Sequence, residues 1–141
     1  MYSNNSKKFV VVLNKKIEMP QLLNAIGHIT AGLVGLLSGN EDMKFLEYVD
    51  GSNEKHRAIS EYPYIVLKAK NGNQIRALRQ SAKEIGITTN DFVDTMIGGS
   101  ADIQLSQTKS KQESELDYWA IVMFGDAEKI DPLTKKFSLF K

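Results

Sequence analysis

A chain of 141 residues is long enough for one domain with a single sizeable core, and its 42% apolar and 25% charged content lies in the range of soluble globular domains. A formal net charge of +1 supplies no global field that would steer the protein to nucleic acid or to an acidic membrane surface. The absence of cysteine excludes disulfides, thiolate metal sites and a cysteine nucleophile, and fits a reducing compartment.

Residues 1–8 are mostly polar, and the apolar run after them is too short for a secretory core, so the chain reads as a cytoplasmic protein without a signal peptide. Phe9-Val10-Val11-Val12-Leu13 is a short unbroken apolar run, the pattern of a strand buried on both faces, and the first strand is predicted at Lys8–Asn14. A helix follows over 20–37, with Pro20 in its first turn, where the missing amide costs nothing. At about 100° per residue, Leu22, Ile26, Ile29, Leu33 and Leu37 share one side and Asn24, His28, Ala31 and Gly35 the opposite one. That second stripe is small and polar rather than charged, so something is expected to pack against it. The same segment is marginal in length for a membrane span and holds Asn24, His28 and three glycines, so no membrane partner is expected.

Gly39-Asn40 is the helix stop. Lys44–Val49 alternates loosely, as a strand can, and the turn signal Asp50-Gly51-Ser52-Asn53 closes it. Tyr64–Ala69 is a second buried strand. Asn71-Gly72-Asn73 caps a helix running through Ile85, with Ile75, Leu78, Ala82 and Ile85 inward, Arg76, Arg79 and Lys83 on a basic flank, and Gly86 as the stop. Ile87-Thr88-Thr89 opens a third strand, which either continues to Phe92-Val93 or gives way to a helical turn capped by Asn90. Residues 98–117 read as a mobile polar loop. Tyr118–Phe124 is a fourth strand, Gly125 a turn, and 127–136 contains a short helix before the apolar 137–140 end. Alternating strands and helices argue for a single layered α/β domain over 1–141.

Asn24 and His28, one helical turn apart, form the sharpest candidate catalytic pair. A carboxamide and an imidazole together can orient a carbonyl or a water, with the histidine as general base; the plainer reading is two satisfied polar groups at a helix or subunit contact. Asp94 and Thr95 follow the third strand, where open α/β sheets bind ligands, and are candidate binding residues; a cap or turn is the ordinary alternative. Gly98-Gly99-Ser100 offers amides for an anion but lacks the lysine and spacing of a P-loop. Arg76, Arg79 and Lys83 can meet phosphates or form a solvated helix face. His56 sits in a charged turn. Two histidines without ligand spacing give no metal site, and no cofactor is expected. The small-polar stripe fits a homodimer, or else a cover formed by 127–136.

Val10-Val11-Val12-Leu13, Met19, Leu23-Asn24-Ala25 with Gly32 ahead, and Phe124-Gly125 through Ile130-Asp131-Pro132-Leu133-Thr134 together resemble the peptidyl-tRNA hydrolase II superfamily, and within it the uncharacterised DUF2000 family of small bacterial proteins. The resemblance implies a three-layer α/β/α sandwich around a four-stranded mixed sheet, with a cleft bordering the start of the first helix. It departs from the hydrolase motif. Where those enzymes carry a lysine, a glutamine and a histidine, ungapped counting from Met19 finds Leu23, Gly27 and Thr30, and Asp94-Thr95 stands in place of an Asp-Ala-Gly and threonine. A leucine neither positions phosphate nor activates water. The expected function is therefore binding of a small molecule or protein partner near Asn24; the alternative is a peptidyl-tRNA hydrolase with a relocated catalytic group, and only that reading brings in tRNA.

Overall fold

The computed structural model describes residues 6–38 and 43–141. In chain order its elements are β1 (Lys7–Asn14), α1 (Met19–Leu36), β2 (Phe45–Val49), β3 (Lys55–Ser60), β4 (Tyr64–Ala69), α2 (Gly72–Glu84), β5 (Thr88–Val93), α3 (Ala101–Lys109), β6 (Tyr118–Asp126), α4 (Ala127–Thr134) and β7 (Ser138–Leu139). Short 3-10 turns lie at Asp94–Met96 and Glu113–Glu115. The Gly39-Asn40 stop lies outside the described residues.

β1 is buried from Phe9 to Asn14 because both its edges and both its faces are covered. It runs parallel to β4, with Val11 opposite Val66, and antiparallel to β6, with Val11 opposite Val122. β5 lies antiparallel outside β6, and β7 antiparallel outside β4, giving a mixed five-stranded sheet ordered β5-β6-β1-β4-β7. The four expected strands are therefore neighbours, but the sheet has five. The last two-residue strand pairs with Leu67 and Lys68, too short a stretch to leave a sequence pattern.

Side-chain alternation divides the core. Val10, Val12, Ile121 and Met123 pack with Ile75, Leu78 and Ala82 of α2 and Ile130 of α4. Phe9, Val11, Leu13, Trp119 and Val122 pack on the other side with Leu22, Ala25, Ile29 and Leu33 of α1. Each large aliphatic chain so buried contributes about 1.5–3 kcal/mol, which is what holds an 18-residue helix lacking any side-chain cap at its start. Ala25 takes the place expected for Ile26, which with Leu37 is only partly buried. The Asn24, His28, Ala31 and Gly35 stripe is exposed. It is not covered by 127–136, because α4 belongs to the α2 side of the sheet.

Three further expectations change. Residues 55–60 form β3, which pairs with β2 in a separate two-stranded sheet; His56 sits on this strand, exposed, its Nε2 2.9 Å from Asp50 Oδ2. The 98–117 stretch contains a helix, α3, whose start is capped by Ser100 Oγ accepting from Ile103 N–H at 3.3 Å. Gly125 is no turn but a member of β6 opposite Lys8; a Cβ there would stand 3.0 Å from Ile87 Cδ1. β5 does continue to Val93, and the helical turn then follows it at 94–96.

A candidate cleft between the first helix and the sheet margin

The side of α1 turned away from the core presents Asn24 and His28 at i and i+4, so both side chains project together. β5 lies beside them as the margin of the sheet. Its alternation sends Phe92 into the α1 side of the core and Val93 into the α2 side. Asn90, in register with Phe92, ties the strand to the helix: its Nδ2 donates to the Ile29 carbonyl at 3.0 Å and its Oδ1 accepts from Asp91 N–H at 3.1 Å. Gly32 makes this approach feasible, since a Cβ at that position would stand 2.7 Å from Asn90 Nδ2.

After β5 the chain passes Met96 and Ile97 and reaches Gly98 and Gly99, with φ of +77° and +67°. These two left-handed residues turn the backbone into α3, whose Gln104 Nε2 donates back to the Gly98 carbonyl at 2.9 Å. The result is an open cleft of about 590 Å³. Asn24 and His28 stand on one wall, Gln104 on the other, and Ile29, Phe92 and Met96 supply apolar surface between them. The His28 ring lies 6.4 Å from that of Phe92. Neither the Asn24 nor the His28 side chain makes a hydrogen bond to another described residue, and both are exposed. The cleft thus offers the carboxamides of Asn24, Asn90 and Gln104, one imidazole and an aromatic floor, with the Asp91 carboxylate, held by Arg79, at its border.

Asp94 and Thr95 stand outside this lining, with their polar atoms engaged by the chain itself. Asp94 Oδ1 accepts from Asp117 N–H at 3.0 Å and Oδ2 from Lys111 Nζ at 3.2 Å. Thr95 is buried, and its hydroxyl lies 2.6 Å from that of Thr108. Together they fasten the strand end to α3 and to the start of β6. At the places corresponding to the hydrolase residues, Leu23 is exposed, Gly27 faces open space, and the Thr30 hydroxyl lies 2.6 Å from Tyr64 Oη. Burial raises the Tyr64 phenol above its ordinary pKa, against the opposing pull of Thr30.

Asn90, Phe92, Met96 and Gln104 are cleft residues that no sequence motif marked. A close-approach glycine on α1 is the trace they leave, but its partner is visible only once the strand is placed.

A second hollow, about 610 Å³, opens along α2. Arg76 donates from Nε to Glu113 Oε2 at 3.0 Å, hydrogen-bonds the Leu116 carbonyl, and stands 5.2 Å from the centre of the Tyr118 ring. Tyr118 Oη donates to Glu113 Oε2 at 2.8 Å. Burial, then that hydrogen bond, push the Tyr118 phenol up to about 12, while the same bond, with Arg76 helping, lowers the Glu113 carboxyl. Arg79 Nε donates to Asp91 Oδ2 at 3.0 Å; burial raises the Asp91 pKa and Arg79 opposes the rise.

Among the described residues no three His, Asp or Glu side chains gather as a metal-holding group, and no helix is long and apolar enough to cross a membrane. Fold and cleft define a mixed α/β protein with an open, ligand-sized hollow beside its first helix. The chain belongs to the DUF2000 family, described as protein of unknown function, whose family model matches residues 7–141. Its fold is similar to the solved structure of a protein of unknown function from Agrobacterium tumefaciens, with a TM-score of 0.81 at 20% identity, covering 97% of this chain and 99% of that one. No curated protein matches it in sequence.

Proposed function

We propose that the protein binds a small ligand in the α1–β5 cleft, through the Asn24 carboxamide and the His28 imidazole, without hydrolysing an ester. The observation that carries this reading is that both groups face a cleft of about 590 Å³ and neither side chain hydrogen-bonds another described residue. Buried polar groups in folded chains find internal partners, whereas these two keep their donors and acceptors for solvent or a ligand. Phe92, Ile29 and Met96 suit a flat apolar body, so the ligand class is an aromatic or heteroaromatic amide or acid. The packing of α1 on one side of the sheet and of α2 and α4 on the other supports a three-layer arrangement related to the peptidyl-tRNA hydrolase II superfamily. Leu23, Gly27 and the tethered Thr30 weigh against that superfamily's reaction.

Benzamide titrated into ¹⁵N-labelled protein tests this. Saturable shifts are expected at Asn24, His28, Asn90 and Phe92. Asn24→Ala and His28→Ala should each weaken binding about tenfold, the loss of one good hydrogen bond to a ligand. Because both side chains are exposed and unpartnered, each variant should keep its stability within about 0.5 kcal/mol. Cleavage of labelled peptidyl-tRNA that disappears in His28→Ala would overturn the reading in favour of the hydrolase. A dimer dispersed by Ala31→Arg in sedimentation would instead give the exposed stripe to a second copy.

A further inference from the structure

The α2 hollow lies on the other side of β5 from the cleft, and its charged groups differ in how far they are engaged. Arg76, Arg79, Gln80 and Lys83 fall at i, i+3, i+4 and i+7, on one side of the helix. Arg76 is a wall: Glu113, the Leu116 carbonyl and the Tyr118 ring hold it in place. Arg79 differs. Only its Nε is taken, by Asp91, which fixes the plane of the guanidinium, and its two terminal nitrogens meet no acceptor among the described residues. Lys83, one turn further on, has no described partner at all.

The carboxylates nearby are each engaged already. Glu113 accepts from Arg76 and Tyr118, Asp91 from Arg79, and Glu84 from Gln80 Nε2 at 3.3 Å. The lining itself carries three cations and one carboxylate. A guanidinium held in plane with two free N–H₂ groups matches two oxygens of a tetrahedral anion, and an ammonium one turn away adds a point charge to a third.

We propose that this face of α2 is a binding site for a phosphoryl group, with Arg79 as the fork and Lys83 as the second cation. The ligand is inorganic phosphate or the phosphomonoester of a small molecule. Asp91 is a positioning residue: it orients Arg79 and touches no ligand. The two hollows share no lining residue, although Asp91, which holds Arg79 from behind, also borders the α1 cleft.

The experiment is a titration of inorganic phosphate, and in parallel of glycerol phosphate, into ¹⁵N-labelled full chain at low ionic strength, following the arginine Nε signals and the amides of 79–84. Saturable shifts at Arg79 and Lys83 are expected, weakening as salt is added. Lys83→Gln removes an exposed, unpartnered charge without touching the fold and should lower phosphate affinity about tenfold, as should Arg79→Gln. Glu113→Gln keeps an acceptor for Arg76 and Tyr118 while removing the lining carboxylate, so it should tighten binding. A tighter phosphomonoester than phosphate identifies the source as a small metabolite; equal affinities identify free phosphate. His28→Ala should change nothing, which separates this result from the fate of the cleft. The proposal falls if no saturable shift occurs, if Lys83→Gln binds as wild type does, or if a short single-stranded RNA shifts the same signals while both phosphate probes fail.

Discussion

Two hollows of nearly equal size, about 590 and 610 Å³, flank the margin strand β5, and they are built on opposite economies of polar groups. On the α1 side the Asn24 and His28 side chains make no hydrogen bond to another described residue, and the Asp91 carboxylate at the border is held by Arg79. On the α2 side Arg76, Glu113 and Arg79 are each engaged, so that the network Arg76–Glu113–Tyr118 stiffens the wall, and among the described residues Arg79 and Lys83 keep spare donors. The contrast teaches that polarity alone does not mark a site. A charged cluster can be a fastening, as most of the α2 network is, whereas the Asn24 carboxamide and His28 imidazole have no internal hydrogen-bond partner among the described residues.

The comparison can be broken most forcefully at Gly72, the first residue of α2. A Cβ there would meet the Asp117 carboxylate and stand 3.0 Å from the Tyr118 backbone N and O, groups that cannot yield. Gly72→Ala should cost about 1–3 kcal/mol by overpacking and loosen the α2 wall, measured by denaturant unfolding. Gly32→Ala acts on the other side and on a smaller scale. Alanine in a helix interior gains about 1 kcal/mol over glycine, but here it displaces Asn90 Nδ2 from the Ile29 carbonyl and leaves polar groups half-satisfied, at about 1–3 kcal/mol. The net expectation is a loss of about 1 kcal/mol, whereas Gly35→Ala, which faces open space, should stabilise; both signs are read from thermal unfolding. The mildest effect belongs to Tyr118. Its phenol has a folded pKa of about 12 against an ordinary 10.0, so the stability it confers is complete below about pH 10 and declines as pH rises through 12. Glu113→Gln keeps an acceptor for the Tyr118 hydroxyl but removes its charge, so it should move the Tyr118 titration downward, followed by ¹³C-tyrosine NMR; an unchanged titration would mean that the charge of Glu113 plays no part in it.

What the sequence disclosed follows how locally each feature is encoded. β1, β4 and β6 are continuous apolar runs because they are covered on both faces, and α1 and α2 show a helical period because each has one face on the core. β3 escaped notice because Lys55–Ser60 is largely exposed and carries no buried face. α3 has no buried residue at all, so nothing in its spacing could announce a helix. β7 is two residues long. Among the residues that line the cleft, Asn24 and His28 stood out in the sequence because polar side chains opposite an apolar stripe are visible along a helix. Asn90 was not, because its role is to reach a carbonyl 61 residues away in sequence, a contact no local pattern encodes. The opposite holds for Asp94 and Thr95: their place after a strand suggested a ligand, and their hydrogen bonds serve the chain's own connections.

The hydrogen bonds along the outer margin of β5 also bear on how this molecule behaves in a concentrated solution. Asp91 N–H donates to Asn90 Oδ1 and Val93 N–H to Met96 Sδ at 3.4 Å, two residues apart on the strand, so successive outward amides already have acceptors. An incoming strand from another chain would have to displace both before pairing, which makes this margin a poor template for sheet extension and fibril growth. The side chain that joins β5 to the first helix thus also occupies one of the amides along this margin.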